Sequence, residues 1–435
     1  GWGTLCERSV SHLGTLGNLQ KAISSGLGRR VLRIGIAGGS VSVGTGCEDP
    51  QHCWYNKMKN IITNHLNAHD KVDMYGLQEV EIFNVARGGT AADRTLFCLD
   101  DFLRELNTTT SALDILILEY AINDGEGNWV ELLIRRHLPS TAVFFLETFS
   151  IAPHTRQGFR TSQGLHDPLA RYYDIPVVSA RDALWELFKQ NTSLLSHWFN
   201  KDAHHPSCFG HATLGVFAAS LILHALTSID AGPSLTSLQK SGAIGFLDVS
   251  DRNPPTFLFD SKPYCMQATQ RNLLQTAAGF IGEENGVSGD SVSAFYFAHT
   301  HNSTWRVNNS SKSSFDCTLP IDGELVIPIN CSQHIHGGSR DFCQVLLGFT
   351  RSWKPMGTAT VTAQGMQTTL DAYQPAWHST QWTLQQYTDF EDLFFRVPTG
   401  QHNFSISCTG TSTAGEQGGE GVNSTLFKLE SVVIL

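Results

Sequence analysis

Charge is scarce in this sequence. Only 16% of the 435 residues are Asp, Glu, Lys or Arg, and the 30 basic ones are outnumbered by 40 acidic ones, for a formal net charge of −10. A chain short of positive charge has little to offer a phosphate backbone or an anionic bilayer, so no nucleic acid and no membrane surface is expected as a partner. Any C-x-x-C pair is missing too. The ten cysteines (6, 47, 53, 98, 208, 265, 317, 331, 343 and 408) are scattered over the whole length, which disfavours zinc ribbons and thioredoxin-like redox sites. No apolar run reads as a membrane span, and the longest, "ALDILILEYAI" and "TLGVFAASLILHAL", have core length. Internal repeats are absent.

What is present describes a folded globular protein, 41% hydrophobic and long enough for two domains. Asn-x-Ser/Thr sequons begin at Asn107, Asn191, Asn302, Asn308, Asn309, Asn330, Asn403 and Asn423. Together with an even set of cysteines they favour a secreted or secretory-lumen protein carrying disulfides and N-glycans. Cys47 and Cys53 flank "EDPQH", a short loop whose proline favours a turn, so a local Cys47–Cys53 bridge is expected. A longer-range pairing is the alternative.

Residues 1–230 alternate. Near-continuous apolar runs ("VLRIGIAG", "GLQEVEIFNVA", "LDILILEYAI", "TAVFFLETFS", "IPVVSA") are separated by amphipathic helical patterns such as "DRTLFCLDDFLREL" and "WVELLIRRHL". This predicts an α/β domain, a parallel sheet with helices on both faces, closed by the buried helix "HATLGVFAASLILHAL". Residues 231–262 mix Gly, Pro, Ser and Asp and read as a linker. From 263 to 435 come short runs such as "ELVIPIN", "FCQVLLGFT", "TATVTAQG" and "HNFSISC", which suggest an all-β sandwich of jelly-roll type.

Chemistry gathers at the strand ends of the first domain. "GIAGGSVSVGTGC" leaves a strand through glycines and then presents Ser40. "NVARGGTAADRT" places Gly88 and Gly89 after the second run, "LEYAINDG" places Asn123 and Asp124 after the third, and "DAHHPSCFGH" places Asp202 and His205 before the last helix. In an open parallel sheet these carboxyl ends share one crevice. Each residue also has a plainer use. Ser40 could cap a helix, Gly88 and Gly89 could serve only a turn, Asn123 could cap the next helix, and Asp124 is expected to cap or brace.

At these blocks the chain resembles the SGNH or GDSL-like hydrolases. There a serine follows the first strand, a glycine the second and an asparagine the third, and D-x-x-H-P precedes the final helix. The resemblance covers roughly residues 30–228. It implies a three-layer, flavodoxin-like sheet and maps the family's positions onto Ser40, Gly89, Asn123, Asp202, His205 and Pro206. The chain departs from the family in reading Gly-Gly-Ser for the common Gly-Asp-Ser, and Ala-Ile-Asn-Asp for Gly-x-Asn-Asp.

The chemical roles follow. Ser40 would attack an acyl carbonyl, His205 would take its proton, and Asp202 would hold the imidazole in the right tautomer. The N–H groups of Ser40 and Gly89 and the amide of Asn123 would hold the oxyanion, with Gly88 as the fallback donor. His204 is the rival base. His204, His205 and His211 have no recognised zinc-ligand spacing, so no metal and no cofactor is expected. Trp305, Trp353, Trp377 and Trp382 could stack on sugar rings or pack the core. The leading expectation is a secreted serine esterase removing acyl groups, acetyl above all, from a glycan or polysaccharide. A luminal O-acyltransferase, and a non-catalytic structural or adhesive glycoprotein with protein partners in an extracellular assembly, are the alternatives. A lipid esterase is disfavoured.

Overall fold

The computed structural model describes residues 2–230 apart from 48, 69–78, 125–128, 139 and 153–158, and beyond 263 the strands named below together with Gly400. Two compact units are present, Gly1–Asn253 and Pro254–Leu435. The expected linker, 231–262, lies outside the described residues.

The first unit is built on a six-stranded sheet of β1 (Val10–His12), β2 (Val31–Gly38), β3 (Glu79–Asn84), β4 (Ile115–Glu119), β5 (Ala142–Glu147) and β6 (Val177–Ser179). Its order is β1-β6-β5-β4-β2-β3. All the pairings are parallel except that of the edge strand β1, which runs antiparallel to β6. Every residue of β4 and β5 is buried, as expected of strands covered on both faces. Because β2 is followed by β3 on one side of it and then by β4 on the other, crossovers of the usual right hand would put helices on both faces.

The helices are α1 (Trp2–Ser9), α2 (Gly17–Arg29), α3 (Ser40–Val43), α4 (Trp54–Ala68), α5 (Ala92–Glu105), α6 (Trp129–His137), α7 (Gln163–Tyr173), α8 (Ala180–Gln190), α9 (Leu195–Trp198) and α10 (Cys208–Asp230). Cys208–Ile229 is long and apolar enough to cross a membrane by length and composition, beyond the core length read from the sequence. In the folded chain it is a core helix: Leu214, Phe217, Ala218, Leu221, Ile222 and Ala225 are buried. It packs closely on α4, and a Cβ at Gly215 would stand 2.5 Å from the Trp54 carbonyl oxygen and 2.7 Å from Lys57 Cβ.

The second unit contains two antiparallel sheets. One joins β14 (Met366–Asp371), β13 (Gly357–Ala363), β17 (Gln401–Thr411), β11 (Glu324–Asn330) and β8 (Tyr296–Ala298), in that order. Alternate residues make its buried face, where Val361, Ile406 and Leu325 form one cross-strand row and Ala363, Phe404 and Ile327 the next. The other runs β15 (Gln381–Thr383), β12 (Phe342–Arg351), β18 (Phe427–Ile434), β10 (Ser314–Cys317) and β9 (Trp305–Asn308), with β16 (Phe395–Pro398) also on β12 and β7 (Tyr264–Gln267) on β18. Val345, Leu347 and Phe349 line its buried face. The all-β character expected of this half is present. Trp305 and Trp382 fall on strands β9 and β15, whereas Trp353 and Trp377 lie outside the described residues.

Among the sequons, Asn107, Asn191 and Asn403 are exposed, Asn308 and Asn330 close strands β9 and β11, and Asn302, Asn309 and Asn423 lie outside the described residues.

The expected Cys47–Cys53 bridge is not formed. Cys47 is joined to Cys208, 161 residues away, and Cys53 is free and buried. The local fold explains the difference. Asp49 caps the short turn Pro50–His52 by accepting from the Gln51 N–H at 2.9 Å. That turn leads Cys53 into α4 with its sulfur packed against Gly44, while Cys47 faces the start of α10. Cys98 and Cys408 are also disulfide-bonded.

The close approach at Gly215 yields a stability prediction. Gly215→Ala removes a helix-weakening glycine but forces its methyl into α4, so a net loss of about 1–3 kcal/mol is expected in urea unfolding of the full chain. A neutral or stabilising result would mean that α4 and α10 can separate without cost.

Candidate active site

Strand β2 ends at Gly38 opposite Glu119, the last residue of β4. The two strands therefore release their chains at the same level, where the strand order reverses and doubly wound sheets bind their ligands. The Gly39 N–H donates to the Glu119 carbonyl at 3.2 Å, and Ser40 opens α3 immediately afterwards. The chain beyond β3 is tied to the same point, because the Arg87 N–H donates to the Gly38 carbonyl at 3.0 Å. Gly89 follows with φ +65°, a left-handed turn conformation that favours glycine.

Ser40, His205 and Asp202 form one hydrogen-bonded line. His205 Nε2 lies 2.8 Å from Ser40 Oγ, and His205 Nδ1 lies 2.6 Å from Asp202 Oδ2. The other Asp202 oxygen accepts the N–H groups of His204 and His205, each at 2.9 Å. Partial burial pushes the Asp202 carboxyl up, but the bonds from the His205 ring and the two amides outweigh it and hold the group below its ordinary value. Asp202 is thus kept as the carboxylate that a neutral imidazole needs at Nδ1–H.

His204, the rival base, points elsewhere. Its Nδ1 lies 2.9 Å from Ser150 Oγ, and its ring meets that of His205 edge-on at 4.6 Å. His211 Nε2 lies 3.1 Å from the Thr45 carbonyl. Burial lowers the His211 imidazole to about 4, against the opposing pull of that carbonyl, so the ring is neutral and ties α10 to the loop behind Ser40. The three histidines thus serve three different partners.

Asn123 is buried beside Gly39. A Cβ at Gly39 would stand 2.8 Å from Asn123 Cγ and closer still to its Oδ1. In this chain a side chain at 39 would therefore meet the Asn123 amide. Asp124 braces, as expected, and it does so across segments. Its Oδ1 accepts the Ala92 N–H at 2.8 Å and so caps α5, whose own N-cap, Ala91, makes no side-chain cap bond.

Sequence reasoning missed the acids behind the site. Glu119 is fully buried, with Oε2 accepting from Ser42 Oγ at 3.0 Å and Oε1 from Thr148 Oγ1 at 2.8 Å. Burial pushes its carboxyl up to about 8; the bonds from Thr148 and Ser42 oppose this and neighbouring Glu147 adds to it. Glu147, at the end of β5, is equally buried and bonds His166 Nδ1 at 2.8 Å. The available signal was a lone glutamate ending each of two apolar strands.

Glu119 has a consequence for stability. Its folded-state value of about 8 lies above the ordinary 4.5, so between those values the native state holds a proton that the unfolded chain releases. Stability therefore falls as pH rises through this window. Glu119→Gln, which keeps the shape without the charge, is expected to match the wild type near pH 5 and to resist urea better near pH 9. Parallel pH profiles of the two proteins would contradict this.

No protein-family model matches the chain, and no curated protein matches it either. Solved structures do. A two-domain esterase active on acetylated mannans, co-crystallised with mannopentaose, is 16% identical with a TM-score of 0.57, and the match covers 98% of this chain and 97% of that one. Another crystal structure of a two-domain esterase active on acetylated mannans is 15% identical with a TM-score of 0.53 and the same coverage, 98% and 97%. The similarity is one of fold, and it extends over both units.

Proposed function

We propose that this chain is a serine esterase of the SGNH kind that removes acetyl groups from a polysaccharide. The observation that carries the proposal is the line from Ser40 Oγ through His205 to Asp202, at 2.8 and 2.6 Å. The two-domain fold shared with a mannan-active esterase supports a glycan as the alcohol half of the ester. Disulfide bonding at Cys47, Cys98, Cys208 and Cys408 supports an oxidising compartment, outside the cell or in the secretory lumen.

In this mechanism Ser40 Oγ attacks the acetyl carbonyl carbon while its proton passes to His205 Nε2, leaving an imidazolium paired with Asp202. The N–H groups of Ser40 and Gly89 and the Asn123 amide receive the negative charge on the carbonyl oxygen. Collapse of the tetrahedral intermediate breaks the bond to the sugar oxygen, which takes the proton from His205. Water, deprotonated by the same imidazole, then attacks the acetyl-serine and releases acetate. The β-sandwich is assigned to holding the glycan.

Ser40→Ala is expected to lower turnover of p-nitrophenyl acetate roughly ten-thousand-fold or more and to abolish labelling by a fluorophosphonate probe, with circular dichroism unchanged. His205→Ala should be comparably inactive, and His204→Ala should stay within about tenfold of wild type. Retained turnover in Ser40→Ala would overturn the assignment, and the opposite ranking of the histidines would move the base to His204. Acetate release from acetylated mannan, measured with and without an added sugar acceptor, separates hydrolysis from transfer.

The Gly39 contact supplies a further expectation. Gly39→Ala drives its methyl into the Asn123 amide, so kcat should fall about 10²–10³-fold while KM stays nearly constant, as for loss of one oxyanion donor, with fluorophosphonate labelling of Ser40 checking that the nucleophile is still in place. A normal kcat would mean that Asn123 does not serve the oxyanion.

A further inference from the structure

A second buried chain of ionisable groups runs behind the candidate site. Asp124 Oδ2 lies 3.0 Å from His166 Nε2, and His166 Nδ1 lies 2.8 Å from Glu147 Oε1. The side chains of Glu147, His166 and Asp124 are 0%, 1% and 8% exposed, so these bonds are shut off from bulk solvent. The Phe145 ring stacks on the imidazole at 5.0 Å, nearly parallel. A neutral imidazole has one donor and one acceptor nitrogen, whereas two carboxylates both require a donor. With both acids ionised, the arrangement calls for an imidazolium, although burial also pushes the Glu147 carboxyl up. Burial alone would lower the His166 imidazole, but the flanking Glu147 and Asp124 reverse this and raise it to about 10.

This cation holds more than one element. Asp124 follows Asn123 directly, and both N–H groups donate to the Tyr120 carbonyl at 2.9 Å. Its other oxygen holds Ala92, at the start of the helix that follows the Gly88–Gly89 turn. His166 itself comes from α7 and Glu147 from β5. A single imidazole thus pins together the segments that carry two of the three oxyanion donors.

We propose that His166, clamped between Asp124 and Glu147, is a positioning residue that sets the Asn123 amide and the Gly89 turn for the oxyanion. The proposal rests on the serine-esterase reading. It acts through the Asp124 carboxylate, so removing the cation frees the 123–124 turn while Ser40, His205 and Asp202 stay in line.

The test is a double-mutant cycle on the full chain with His166→Gln, Asn123→Ala and the pair. His166→Gln is expected to lower kcat on p-nitrophenyl acetate about a hundredfold with KM within threefold, and to cost clearly less in the Asn123→Ala background, where only the Gly89 turn is left to lose. Losses that multiply, or a full-length His166→Gln protein with normal kcat, would overturn the proposal. Should that variant fail to fold, Asp124→Asn replaces it, because it keeps an acceptor for the Ala92 N–H while presenting an amide donor to His166. An independent readout is the side-chain amide resonance of selectively ¹⁵N-labelled Asn123. It should shift in either His166→Gln or Asp124→Asn whether or not the wild type hydrolyses ester, and an unmoved resonance would overturn the proposal. A wild type that is inert to both ester and fluorophosphonate would instead sink the esterase reading, leaving that resonance to decide the role of His166.

Discussion

The pairing of β2 with β4 is the constraint on which the rest of the site depends. These strands are far apart in sequence but adjacent and parallel in the sheet, with Gly38 opposite Glu119. Their chains leave the sheet side by side and in the same direction, so Ser40 and Asn123 emerge as neighbours. The close approach leaves no room for a side chain at Gly39. A one-residue slip of this register would reverse the facing of the strand residues and carry the serine away from the asparagine.

The second requirement is to bring His205 onto Ser40 from a segment 165 residues later. The loop behind the serine is stitched to the segment around the histidine in three ways. Cys47 is joined to Cys208, His211 bonds the Thr45 carbonyl, and Gly46 packs against the Pro206 carbonyl and 3.0 Å from His205 Cβ if it carried a Cβ of its own. A disulfide spanning 161 residues is worth about 5 kcal/mol in the chain-entropy view, against about 2 for a loop as short as the one first expected. The long bridge also ties the loop behind Ser40 to the segment around His205, which a local bridge could not do.

Beneath these loops the two central strands β4 and β5 end in acids rather than in apolar residues. Glu119 and Glu147 close two fully buried strands, and a bare carboxylate there would be costly. Each has an answer. Glu119 accepts from Ser42 and Thr148 while burial pushes its carboxyl up toward the neutral form, and Glu147 is paired with the His166 imidazole. The crevice floor therefore carries fixed polar groups that bond the surrounding turns, and a fully apolar floor would leave those turns without partners.

Much of this could be read from the sequence alone. Long apolar runs separated by amphipathic segments specified the parallel sheet, because burial on both faces demands them, and the short runs after 263 marked antiparallel strands. Ser40 and Asn123 could be singled out at strand ends, and Asp202 and His205 by the D-x-x-H-P spacing before the last helix, and the structure brings Ser40, His205 and Asp202 into one hydrogen-bonded line. The three-residue β1 was not legible, being too short for a periodic signal. Neither were the Cys47–Cys208 pairing, the bond from His204 to Ser150, nor the Asp124–His166–Glu147 chain. Pairings of this kind depend on which segments meet in space. Local sequence carries propensity and period, whereas a disulfide partner or a buried ion pair is chosen by the tertiary packing that brings distant side chains within a few ångströms.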